Sequence, residues 1–169
     1  HDVSNAYIYY AYLTYIRPVL EYAPSVWSPY LLKQINAIER VQKYFTRCIP
    51  CISHLSYPER LAAIDLEPLE LRRLKNDLIL YYKSYHDLVA LPFNEYFVQS
   101  QNVTQTRTGG GRLLRPMCRT NRFENDFFNR CISCFNFLPS DAVNANSVYA
   151  FKRFLSSCDL SDFIHCSYL

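Results

Sequence analysis

Apolar residues recur along most of the chain at steps of three, four and seven, the spacing of one face of an α-helix. The stretch Ile38 to Pro50 and its lead-in show this most clearly. Leu31, Ile35, Ile38, Phe45 and Ile49 fall on or near one stripe, while Lys33, Arg40, Lys43 and Arg47 fall near another. Such a helix can rest one face on a core and present fixed positive charge with the other. Charges on a helix are ordinarily a solvated face, and an anionic partner is the functional alternative.

The rest of the chain reads as further helices. One is predicted over Asp2 to Ile16, capped at Asp2 or Ser4 and kinked or restarted at Pro18, with Val19 to Tyr22 continuing it. Ala23 to Pro29 reads as a loop carrying Trp27, and Pro29 opens the basic helix, which Pro50 ends. Ser56 and Glu59 form a capping-box pattern for a short helix to Ile64. Asp65 to Glu67 turns the chain, and Pro68 opens a long helix to about Val89, apolar at Leu71, Leu74, Leu78, Tyr81 or Tyr82, Tyr85 and Val89. Gln99 to Arg122 breaks the pattern with Gly109, Gly110 and Gly111 among polar residues and arginines, as a flexible loop or loose hairpin does. Glu124 to Leu138 is helical again, and Ser147 caps a last helix to about Ser157. The expectation is an all-α fold of five to six helices, with the basic loop between the fourth and fifth. By residue the regions are 1–98 helical, 99–122 loop, 123–158 a helical pair and 159–169 tail.

Composition agrees with this reading. Half of the 169 residues are apolar, enough for a real core, and only three glycines occur, which suits helices better than strands and turns. Fifteen tyrosines and eleven phenylalanines supply rings that stack on each other or on bases, with core packing the ordinary use. The net charge of +3 is unevenly placed. Residues 1–98 balance, residues 123–169 are acidic, and residues 99–122 hold Arg107, Arg112, Arg115, Arg119 and Arg122 with no acid. Seven cysteines are too sparse for a secreted disulfide scaffold, and no signal peptide is visible, so an intracellular setting, nuclear or cytoplasmic, is expected. Arg17, Pro18 and Glu21 interrupt the Tyr-rich start, so no membrane span is expected. The chain opens on His1 rather than Met and reads as a piece of something longer.

Few constellations point to chemistry. Cys48 with Cys51, and Cys131 with Cys134, have the spacing of zinc-ligand pairs, but they lie far apart in sequence and Pro50 sits inside the first. Cys131 and Cys134 fall on an apolar helix, where cysteine acts as a small hydrophobe. Neither His54 nor His86 can be placed against a cysteine nucleophile. The triple glycine lacks the Lys-Ser/Thr of a phosphate loop. Arginines bind phosphate bidentately and stay charged, so the Arg block is either an adaptable phosphate clamp or a solubilising loop.

Five blocks carry a resemblance: IRPVLEYAPSVWSP, IERVQKYFTRCIP, SYPERLAAIDLEPLELRRLKNDLILYYKSYH, RPMCRTNRFENDFFNRCISCFNFLPSDAV and SVYAFKRFL. Their order and spacing resemble the carboxy-terminal part of non-LTR retrotransposon reverse transcriptases of the jockey kind, over about Tyr9 to Leu155. The resemblance implies a thumb and downstream region of an RNA-directed DNA polymerase. The parent's two-metal Mg chemistry rests on an Asp-Asp turn, and this chain has no Asp-Asp pair. By that resemblance it is not an enzyme by itself, holds no catalytic or metal-binding residue and needs no cofactor. Its expected partners are a primer–template or element RNA and the remainder of the reverse transcriptase. The expected nucleic-acid surface comprises Lys33, Arg40, Lys43, Arg47, Arg107, Arg112, Arg115, Arg119 and Arg122. The alternatives are a helical protein–protein module without nucleic-acid binding, and a small zinc-dependent nucleic-acid module.

Overall fold

The computed structural model describes residues 2–91 and 113–165. Among these, every regular element is helical, as the periodicity predicts. They fall into two compact units, one ending at Arg73 and resuming at Ile164, the other running from Leu74 to Phe163. Most of the Gln99–Arg122 segment, with Arg107 and Arg112, lies outside the described residues.

The first unit opens with α1 (Asp2–Ala11), which passes through a π-helical segment (Tyr12–Ile16) into α2 (Arg17–Leu20). Sequence predicts a kink or restart at Pro18; the α-helix does restart there, with Pro18 in the first turn of α2, after a widened π-helical segment. Proline has no N–H and crowds the carbonyl four residues back. In the widened turn Arg17 N–H bonds Tyr12 O, five residues back, just before Pro18 is admitted. The same segment sets side-chain register. At ideal pitch Tyr15 and Val19 would stand about 80° and 120° from Tyr7; the extra residue returns both to the exposed side with Tyr7 and Tyr10. Ala23 takes a left-handed conformation (φ 45°) and starts a short turn, α3 (Pro24–Trp27), where a loop was expected.

α4 (Leu32–Arg47) begins three residues after Pro29, because Leu31 is extended at its N-cap. The capping box holds: Ser56 N–H donates to Glu59 Oε2 at 2.8 Å at the start of α5 (Tyr57–Ala63). These bonds from Ser56 hold the Glu59 carboxyl below its ordinary range. Leu61 N-terminal to the turn and Leu66 after it join Tyr12 in one buried cluster, flanked by Tyr9, Leu13, Ile16, Phe45 and Tyr57. Asp65 makes that turn at φ 51°, with Leu66 N–H bonding Leu61 O at 2.9 Å and Asp65 N–H bonding Ala62 O at 3.4 Å. That is a Schellman closure with aspartate where glycine is usual.

α6 (Leu69–Tyr85) crosses the division between the units. Its predicted end at Val89 comes early, because Asp87 (φ 54°) makes a second Schellman closure, Leu88 N–H to Lys83 O at 2.8 Å. In the second unit follow α7 (Asn121–Glu124), α8 (Phe127–Phe137), α9 (Ser140–Val143) and α10 (Val148–Ser157), the last capped by Ser147 as expected. Leu78, Tyr81, Tyr82, Cys131, Ile132, Phe135, Phe151 and Leu155 form its core. Tyr82 stacks on Phe151 at 4.2 Å, and His86 Nε2 meets Val143 O at 2.7 Å. Arg130 clamps the buried Asp77 through Nε and Nη2, at 3.1 and 2.8 Å. The stretch expected as tail is packed at its start: Leu160 is buried and Phe163, in a 3-10 turn (Ser161–Phe163), meets Phe137. Among the described residues, no helix is long and apolar enough to cross a membrane.

Candidate nucleic-acid interface

α4 is held from beneath by polar groups. Ile35, Glu39, Gln42, Thr46 and the following Ile49 are buried, at steps of four, three, four and three. The inner stripe is therefore rotated from the all-apolar one expected: Leu31 is exposed, and Ile38 and Phe45 flank the stripe. Burying Glu39 and Gln42, both 0% exposed, demands partners. Glu39 accepts a bond from Leu69 N–H at 3.0 Å, an orphan donor at the start of α6, and a short bond from the Tyr57 hydroxyl. Gln42 donates to Tyr57 Oη and to Glu67 O, each at 3.0 Å, and accepts from the Tyr12 hydroxyl. Thr46 Oγ1 accepts from Arg60 Nε at 3.2 Å, while Arg60 also donates to Leu55 O at 2.6 Å. Burial raises the Glu39 carboxyl above its ordinary range, against the opposing pull of the Tyr57 and Leu69 bonds and of Arg73 and Lys43.

The outer face carries the charge. Lys33, Arg40 and Arg47 are exposed at seven-residue intervals. Each interval is about 10.5 Å of helix rise, with a drift of about 20° around the axis, so the three form a nearly straight row about 21 Å long. Among the described residues, none of the three is paired with a carboxylate. Lys43 departs from the row. It is half-buried, with Nζ 5.0 Å from the Tyr57 ring centroid, a cation–π contact that turns it toward the network around Glu39.

The later arginines belong to the second unit. Arg115 pairs with Glu124 at 2.7 Å on the surface, so its charge is matched locally. Arg119 and Arg122 are exposed, Arg122 on α7. The structure thus brings Lys33, Arg40 and Arg47 onto one helix face, sets Lys43 at its edge, and places Arg115, Arg119 and Arg122 in the other unit.

Two further clusters resolve. Arg72 clamps Glu21 through Nε and Nη2 and lies 3.8 Å from Glu67, so its charge has carboxylate partners within its own unit. Cys131 and Cys134 are buried, Cys48 and Cys51 are exposed, and among the described residues no three His, Cys, Asp or Glu side chains are grouped to hold a metal. One residue on the basic face escaped the sequence reading. Tyr44, four residues after Arg40 and three before Arg47, is 66% exposed. Comparison with protein-family profiles, with curated proteins and with solved structures finds no match.

Proposed function

We propose that this chain is a non-catalytic nucleic-acid-binding region, of the reverse-transcriptase kind its sequence resembles, that holds a primer–template or element RNA by the sugar-phosphate backbone. The observation that carries this reading is the row Lys33, Arg40 and Arg47, without carboxylate partners among the described residues, on a helix whose other face is locked into the core. Such contacts position a strand without reading its sequence. With three phosphates neutralised, the log of the binding constant should fall with log salt at a slope of about −2 to −3, or roughly 20- to 40-fold between 50 and 200 mM. Anisotropy titrations with labelled RNA–DNA hybrids and RNAs of unrelated sequence test it. Arg40→Glu with Arg47→Glu should weaken binding to all of them by the same factor and flatten the slope. Unchanged affinity after reversal overturns the assignment.

A second reading has its own support. Tyr7, Tyr10, Tyr15 and Val19 lie exposed along one side of α1–α2, an apolar strip of the sort that protein interfaces use. Under that reading association is insensitive to reversal at Arg40 and Arg47 and is abolished by Tyr7→Ser with Tyr15→Ser.

A further inference from the structure

We propose that the outer face of α4 selects unpaired nucleic acid, with Tyr44 stacking on a base between phosphate contacts made by Arg40 and Arg47. This rests on the reading of α4 as a nucleic-acid surface and adds the class of strand. Residues three and four apart on a helix are neighbours, with Cβ atoms about 5–6 Å apart, so Tyr44 is flanked by a guanidinium on each side. Both arginines are exposed and, among the described residues, lack a carboxylate. The ring itself is placed. It meets Phe45 nearly perpendicularly, 5.8 Å between centroids at 89°, and Phe45 in turn packs on the buried Tyr12 cluster, 5.5 Å from the Tyr12 ring. Tyr44 thus keeps most of its surface in water while a neighbour anchored in the core restricts its swing.

That combination distinguishes Tyr44 from the exposed tyrosines of α1 and the π-helical segment. Tyr7, Tyr10 and Tyr15 lie between Asp2 and Arg17, a span with no charged residue, so none of them is set between two cations on its own helix as Tyr44 is. Stacking on a protein ring needs a free base face. In a duplex each base face is covered by its neighbours, whereas an unpaired strand offers one at every nucleotide. Arginines capture the phosphates on either side, and the aromatic ring captures the base between them without regard to its identity.

The test uses the whole chain and fluorescently labelled oligothymidylate, a strand of the same length bearing abasic sites, and the oligothymidylate–oligoadenylate duplex. The base-bearing single strand should bind roughly 5- to 100-fold more tightly than the abasic strand. Tyr44→Ala should remove that difference and leave abasic binding unchanged; Tyr44→Phe should keep it. Arg40→Gln with Arg47→Gln should weaken both strands alike. Equal affinity of the parent chain for abasic and base-bearing strands, or undiminished preference in Tyr44→Ala, overturns the stacking role and leaves the charged row intact. Absence of salt-sensitive binding to any of the three overturns the charged row as well.

Discussion

Glu39 is the residue whose loss most directly probes what supports the basic face. Its carboxylate, fully buried, serves the Leu69 N–H at 3.0 Å and the Tyr57 hydroxyl. Glu39→Ala strands both donors in the interior. Each buried orphan costs roughly 1–3 kcal/mol. Removing a carboxylate that burial disfavours returns part of this, so the net loss should be about 2–4 kcal/mol. At roughly 2–4 °C per kcal/mol for a chain of this size, the melting temperature should fall by about 4–16 °C. Glu39→Gln keeps shape and one acceptor and should lose less. The pH dependence has a definite sign. A carboxyl raised by burial binds its proton more tightly in the folded chain than in the unfolded one. Its favourable contribution is complete below the ordinary carboxylate value and is lost as pH rises from there through the raised folded value. Glu39→Gln does not titrate, so the parent's advantage over it should shrink across that window. Thermal melts by far-ultraviolet circular dichroism from acid to neutral pH measure both effects. Refutation would be a Glu39→Ala melt matching the parent, or parent and Glu39→Gln curves running parallel through the window.

Two other expectations follow from local geometry and burial. Asp65 holds φ 51° without glycine's freedom, so Asp65→Gly should stabilise the chain by about 0.5–1 kcal/mol, whereas Ala62→Gly, one turn earlier within α5, should cost about 1 kcal/mol; urea midpoints decide. Burial raises the Cys131 thiol well above its ordinary value and pushes Cys134 up to about 12. Native alkylation followed by peptide mass mapping should therefore mark the exposed Cys48 and Cys51 first, and Cys131 only after unfolding; equal rates would contradict the burial.

The helical class and most helix starts were legible because their signals are local. A seven-residue charge rhythm, the Ser56–Glu59 pair and the Ser147 cap each act within one or two turns. Helix ends were read less well. The Schellman closure at Asp65 falls where the chain was read to turn, but the one at Asp87, with aspartate where glycine is usual, was passed over, and α6 was therefore extended to Val89. Pro18 was read as a kink or restart, and the α-helix does restart there, but the π-helical segment before it leaves no mark in residue type. The short turns α3 and α9 have too few residues to show a period.

The candidate face was half legible, for a physical reason. Its exposed side is spelled out by Lys33, Arg40 and Arg47, but the buried side is spelled in Glu39, Gln42 and Thr46, residue types that ordinarily signal water. Their partners, Tyr12, Tyr57, Arg60 and the Leu69 N–H, lie 14 to 30 residues away in sequence, beyond the reach of any helical rhythm. Lys43 shows the same limit: its spacing fits the row, yet the Tyr57 ring draws it aside.

That polar underside bears on what the outer face can do. Apolar contact is non-directional, and a helix seated on leucines alone can roll with little penalty. Hydrogen bonds carry angles. Glu39 is tied to the start of α6, and Gln42 to Tyr12, Tyr57 and Glu67 O, two successive positions of the inner stripe fastened to different elements of the same unit. A roll of α4 large enough to turn Arg40 away would break several of these bonds at once and leave their buried partners unmatched. The rotation of the helix is thus set by the groups that water would otherwise claim, and the cation row inherits that rotation. A surface meant only to be soluble needs no such fixing; one that meets a strand of evenly spaced phosphates gains from it, because the ordering is complete before the partner arrives.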